Sequence, residues 1–168
     1  MGFLQRYLKY SDICIQCHNN PDADAIAASF GLYRYFSGKG VKTSIIYGGL
    51  GKITKGNTLM MVDQCRIPIH YTTENPETEL LLMVDCQYGR GNVQKFDAKN
   101  IAMIDHHIQM VEPKEDNLIK SNYQSCSTIV YELLKEEGYS DKDISIILSK
   151  LYGENKNKIK KLVLNTSN

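Results

Sequence analysis

The chain has 168 residues, 42% hydrophobic and 23% charged, which is enough for one domain with a buried core. A formal net charge of +1 leaves no broad basic field for duplex nucleic acid. No apolar run reaches the ~20 residues of a membrane span. The five cysteines are odd in number and lack framework spacing, so the expected setting is a reducing cytoplasm without disulfides. The first residues, Met1-Gly2-Phe3-Leu4-Gln5-Arg6, carry no signal-peptide core.

Residues 3–10 read as a short helix packed under a sheet. Residues 13–17 read as a first buried strand. Cys14 and Cys17 lie within it as C-x-x-C, but three positions apart on a strand they face opposite sides, so they read as buried free thiols, with a zinc or redox pair as the alternative. His18-Asn19-Asn20-Pro21-Asp22-Ala23-Asp24-Ala25 comes next and reads as a tight loop opening a helix, since Asp and Asn favour helix starts. The helix over residues 25–36 carries Ile26, Phe30 and Tyr33 at i, i+4 and i+7, and glycines at 38 and 40 end it. Residues 41–47 form a second strand. The glycine-rich turn at 48–51 leads into no Lys-Ser/Thr helix start, which excludes a P-loop. Residues 58–72 are apolar and β-prone, with Pro68 breaking any central strand.

Residues 80–85 form a buried strand ending on Asp85, and residues 101–105 repeat the pattern, ending on Asp105. Strands separated by short spacers predict an α/β fold, a mostly parallel sheet flanked by helices. After a polar loop with Pro113, Ser125-Cys126-Ser127-Thr128 caps a helix whose apolar face is Ile129, Val130, Leu133 and Leu134. Gly138 ends it. Asp141 or Asp143 starts a further helix with Ile144, Ile147, Leu148 and Leu151 as its stripe. The expected domain spans residues 1–153, and residues 154–168 form a Lys- and Asn-rich tail of different character.

In parallel sheets, ligands gather beyond the carboxyl ends of the strands. His18, Asp85 and Asp105-His106-His107 all fall at such ends, and Asp22 and Asp24 follow His18 closely. Three of the four histidines belong to this set. Two imidazoles and several carboxylates can hold two divalent cations with one carboxylate shared. Two such ions polarise a phosphoryl group and acidify water. Without a cation among them, so many acids would repel one another.

At these residues the chain resembles the DHH phosphoesterase family, which includes RecJ-like nucleases, nano-RNA and phosphoadenosine phosphatases, cyclic-dinucleotide phosphodiesterases and manganese-dependent pyrophosphatases. The stretch from His18 to Ala25 looks like its first motif, Asp85 like the second, and Asp105-His106-His107 like the third. Val84-Asp85-Cys86-Gln87-Tyr88-Gly89 also looks like members labelled exopolyphosphatase-related. The resemblance implies that His18 and Asp22 bind one metal, Asp24 and His106 a second, and Asp85 both. It implies that Asp105 orients an imidazole and that His107 contacts the scissile phosphate or assists the leaving group. The ions it implies are two divalent metals, manganese first and magnesium, cobalt or iron as alternatives.

Arg90 is a candidate for phosphate contact, with a solvated loop arginine as the alternative. Ser127 and Thr128, with Ser125, are candidates for binding phosphate through backbone N–H groups at a helix start, with an ordinary cap as the alternative. The implied reaction is hydrolysis of phosphodiester or phosphomonoester bonds in short oligonucleotides or nucleotides by a two-metal hydroxide mechanism. The implied partner is a small phosphorylated substrate, with no duplex nucleic acid and no membrane. Two departures temper this. No Asp occurs after Asp143 to supply the family's fourth motif, and the family's second, substrate-binding domain is missing from the expected layout. A non-catalytic metal- or nucleotide-binding remnant is therefore the alternative, with a homodimer through an exposed sheet edge or helices as an option for it. A pyrophosphatase or exopolyphosphatase of the same fold is a third reading.

Overall fold

The computed structural model describes residues 2–144. The chain runs through a 3₁₀ turn (Gln5–Tyr7), β1 (Asp12–Cys17), α1 (Ala23–Gly38), β2 (Lys42–Tyr47), α2 (Gly56–Gln64), β3 (Ile69–Tyr71), β4 (Leu80–Val84), β5 (Ile101–Asp105), β6 (Asn117–Ile119) and α3 (Cys126–Glu136). The six strands form one sheet in the order β3-β2-β1-β4-β5-β6, and every pairing is parallel. The expected α/β architecture is therefore present, with the sheet wholly rather than mostly parallel. No helix among the described residues is long and apolar enough to cross a membrane.

The strands are nearly continuous apolar runs because both faces of the sheet are covered. Ile13, Ile15 and Cys17 of β1, with Leu80, Leu82 and Val84 of β4, pack toward residues of α1 and α3. Cys14, Leu81, Met83 and Met103 point to the other face, which Cys86, Tyr88, Val93 and Phe96 cover. Helices thus pack on one face, and the β4–β5 connection lies on the other. That connection carries Gly89 and Gly91 at φ 66° and 62°, a left-handed backbone that no helix accommodates. Cys14 and Cys17 do face opposite sides, and all five cysteines are buried with none in a disulfide. Burial pushes the Cys14 thiol up to about 11 and the Cys17 thiol up to about 12, so neither is a thiolate at neutral pH.

Elsewhere the elements follow the sequence with three exceptions. The stretch from 58 splits: α2 takes its first part, and β3 begins directly after Pro68 as an edge strand, where a missing N–H costs no ladder bond. β6 is an unforeseen second edge, three half-buried residues long. The 3₁₀ turn stands where a short helix was expected, with Leu4 and Tyr7 buried. The helix expected from Asp141 or Asp143 is capped by Ser140, whose hydroxyl accepts the Asp143 N–H. Ile144 is buried there, and Ile147, Leu148, Leu151, the break at Gly153 and the tail lie outside the described residues.

α1 and α3 approach closely at Gly31, where a Cβ would stand 3.1 Å from Val130 Cγ1. Gly31→Val should therefore overpack this contact and lower unfolding free energy by about 1–3 kcal/mol in urea denaturation. Unchanged or increased stability would mean that the helices have room to separate.

Candidate metal centre

The register builds the site. Cys17 pairs with Val84 and Val84 with Ile104, so the next residues on the three strands, His18, Asp85 and Asp105, come abreast at the carboxyl end of the sheet. β1 and β4 also mark where the strand order reverses, the crevice in which open parallel sheets bind ligands. Two residues here leave the ordinary backbone regions: Asn20 at φ 50° and Asp85 at φ 60°. For a residue other than glycine such a conformation costs on the order of 1–3 kcal/mol and persists where the surroundings impose it.

Asp85 is 4% exposed, and among the described residues its Oδ1 has no hydrogen-bond donor. That oxygen lies 3.3 Å from His106 Nε2, and Oδ2 lies 3.7 Å from His18 Nε2. Neither imidazole relieves it in its neutral form. His18 Nδ1 is 2.9 Å from the Asn19 carbonyl and His106 Nδ1 is 3.2 Å from the Tyr123 carbonyl. A carbonyl only accepts, so each Nδ1 carries the hydrogen and each Nε2 turns a lone pair toward Asp85. Burial, then the charges of Asp24 and Asp22, push the Asp85 carboxyl up to about 8. A buried carboxyl group with one nitrogen lone pair beside each oxygen is matched to a cation, and the donor set of imidazole and carboxylate suits a divalent transition ion.

Two groups of donors come within mutual reach of one ion: His18, Asp22 and Asp85, and Asp85, His106 and His107. Asp22 also caps its own helix, with Oδ1 accepting the N–H groups of Asp24 and Ala25. Asp24 approaches His106 Nε2 at 3.9 Å. Its two oxygens, however, accept the N–H groups of Cys126 and Ser127 at 2.8 and 2.9 Å, at the start of α3. The Ser127 N–H is therefore engaged by Asp24, and the Thr128 N–H by the cap Ser125.

His107 is more than half exposed, and its Nδ1 is 2.8 Å from Asp105 Oδ1. That hydrogen bond raises the His107 pKa above the usual imidazole value, against the opposing effect of partial burial. Asp105 itself is 1% exposed. These groups line a cleft of about 610 Å³ together with Gln87, Arg90, Asn92, Met110, Gln124 and Ser125. Arg90 is exposed at its edge, whereas Ser127 and Thr128 are not among the lining residues. Sequence reasoning singled out neither Gln87 nor Asn92. Gln87 stood only inside the Val84-to-Gly89 stretch that resembles exopolyphosphatase-related members, and Asn92 had position alone, in the polar run after a buried strand that ends on an acid.

The family model described as DHH family, N-terminal domain, matches residues 12–164. No curated protein matches the chain. Among solved structures, an exopolyphosphatase-related protein from Bacteroides fragilis is similar at 18% identity and a TM-score of 0.57, over 99% of this chain and 61% of that one. Exonuclease RecJ bound to manganese is similar at 14% identity and a TM-score of 0.49, over 86% of this chain and 39% of that one. The chain thus spans less than two thirds of either protein, and the first likeness is one of fold.

The raised Asp85 carboxyl has a thermodynamic consequence. Between the ordinary Asp pKa near 4 and the folded value of about 8, the metal-free folded chain holds a proton that the unfolded chain has released. This group's contribution to stability is therefore greatest in acid and is lost as pH rises through about 8. Asp85→Asn, after chelation, should be more stable than wild type at pH values above that point and should flatten the fall. Urea titrations across that range decide it, and a variant less stable than wild type at alkaline pH would show that Asp85 carries no uncompensated charge.

Proposed function

The chain belongs to the DHH family, and from that premise we propose that it is a metal-dependent phosphoesterase domain acting on small phosphorylated substrates, short oligonucleotides or nucleotides first. The observation that carries this reading is the buried Asp85 carboxyl, whose Oδ1 has no donor among the described residues and faces His106 Nε2 while its Oδ2 faces His18 Nε2. His18 and Asp22 would hold one divalent ion, Asp24 and His106 a second, and Asp85 would serve both. Manganese fits the mixed imidazole and carboxylate donors, with magnesium, cobalt or iron as alternatives. When bound, such ions supply Lewis acidity at the phosphoryl group and acidify water.

The remaining work belongs to the protein. His107, held through Nδ1 by Asp105, turns its other edge away from that carboxylate and stays protonated to higher pH than a free imidazole. It can therefore give a proton to the oxygen that leaves phosphorus. Arg90, at the cleft edge and without an ion pair among the described residues, can approach a non-bridging phosphate oxygen. Ser127 and Thr128 take no part in this reading, since they lie outside the cleft lining, their N–H groups already have acceptors and their hydroxyls meet Ser125.

A second reading, metal binding without turnover, has one observation in its favour. Both oxygens of Asp24 are engaged by α3, which weakens the second ion's donor set. Pyrophosphate or polyphosphate hydrolysis on the same site is a variant of the first reading and is separated by substrate alone.

The test is release of phosphate or nucleotide from a dinucleotide, from phosphoadenosine phosphate and from pyrophosphate, with manganese and after chelation. Turnover that needs manganese supports the proposal. Tight manganese binding without release from any of them supports the second reading. His107→Gln should lower turnover about 10²–10⁴-fold while calorimetric manganese stoichiometry stays that of wild type. Loss of an ion in that variant would instead make His107 a ligand. Asp85→Ala should weaken manganese at both positions, and unchanged calorimetric stoichiometry and affinity would remove its shared role.

A further inference from the structure

Gln87 lies two places past Asp85, where no step above uses it. Its side chain is 2% exposed, yet every polar atom on it is matched. Nε2 donates to Asp105 Oδ2 at 2.7 Å and to the Ile108 carbonyl at 2.9 Å. Oε1 accepts the Met110 N–H at 2.7 Å. All three bonds reach the segment that begins with Asp105, and none returns to Gln87's own loop.

Asp105 has two side-chain partners, one on each oxygen: Gln87 on Oδ2 and His107 on Oδ1. A carboxylate held at both oxygens cannot rotate about its Cβ–Cγ bond, so the plane set by one partner is the plane offered to the other. The same amide closes the turn over residues 108–110, which carries Met110 at the cleft wall.

We propose that Gln87 is a positioning residue for His107: it fixes the Asp105 carboxylate so that Oδ1 meets His107 Nδ1, which leaves Nε2 as the edge free to act in the cleft. The proposal rests on the reading of His107 as proton donor and deepens it. The chemistry demands an amide of this length. Lysine or arginine would pair with Asp105 and compete with the imidazole for its charge. Glutamate would set a second carboxylate against it, and asparagine is one methylene too short to span both targets. Only the amide offers two donors and an acceptor without net charge.

The test compares wild type with Gln87→Met, which keeps length and removes all three bonds, using ring-¹⁵N-labelled histidine in the metal-free full chain at alkaline pH. Wild-type His107 should show one tautomer with the hydrogen on Nδ1. In Gln87→Met it should become a mixture of both tautomers, while His18 and His106 keep theirs. With a substrate that wild type turns over, kcat should fall about tenfold with KM unchanged.

A variant that melts earlier but keeps the wild-type His107 tautomer would overturn the proposal and leave Gln87 as packing. If Gln87→Met does not fold, solvent exchange of side-chain amides in wild type decides. Slow exchange at Gln87 relative to exposed Gln64 supports the clamp, and equal exchange overturns it. A chain that turns over no substrate, yet shows the tautomer change, removes the reading of function and leaves the positioning role standing.

Discussion

One buried carboxyl group organises this molecule. Four aspartates converge at the carboxyl end of the sheet, and three of them have donors of their own. Asp22 accepts the first N–H groups of α1, Asp24 accepts those of α3, and Asp105 is held by Gln87 and His107. Asp85, the most central, has none on Oδ1 and faces two nitrogen lone pairs. Burial of an unpaired carboxylate costs several kcal/mol in effective terms, which a folded chain tolerates only when something else is gained. On the proposed reading a cation entering from the cleft relieves it; without one, a proton on Asp85 does so up to about pH 8.

The fold supplies both the position and the stability that this arrangement consumes. Six parallel strands in register line up His18, Asp85 and Asp105 without any loop having to reach for the site. The apolar strands beneath them are buried on both faces, and each fully buried aliphatic side chain contributes about 1.5–3 kcal/mol. The helices act electrostatically as well. The partial positive charge at a helix N-terminus favours an anion, and α1 and α3 each receive one aspartate there. The close approach at Gly31 joins the two helices, so packing along their length and the carboxylate at their ends belong to one structure.

The strands that carry the site were legible because their signal is local: an apolar run, an acid or imidazole at its end, a loop. His18, Asp85, Asp105 and the helix caps at Asp22 and Ser125 all follow from such runs. β6 was not legible, because Asn117, Leu118 and Ile119 are too few and only half-buried, and their pairing with β5 comes from tertiary context. The donors on Asp24 were hidden for another reason. They lie 102 and 103 residues away along the chain, so a stretch that reads as a phosphate-binding helix start has its first N–H groups taken by an acid from α1. Gln87 was hidden as well, because a glutamine after a strand reads as solvated loop until its three partners are seen to lie on one distant turn.

This distribution of donors also makes the two sides of Asp85 unequal. On the β1 side, Asp22 spends Oδ1 on the helix cap and keeps Oδ2 outside those bonds, in a residue grouped with His18 and Asp85. On the β5 side, Asp24 spends both oxygens on α3, and a cation drawing on that carboxylate competes with two charge-assisted hydrogen bonds. The electrostatic demand at Asp85 is shared, but the means of meeting it are not. On the proposed reading, the first ion meets a ready set of three donors, whereas a second ion that draws on Asp24, beside the group of Asp85, His106 and His107, must redraw the contact between α1 and α3. Occupancy of the second position is thereby tied to the helix pair that holds the domain's largest apolar face together.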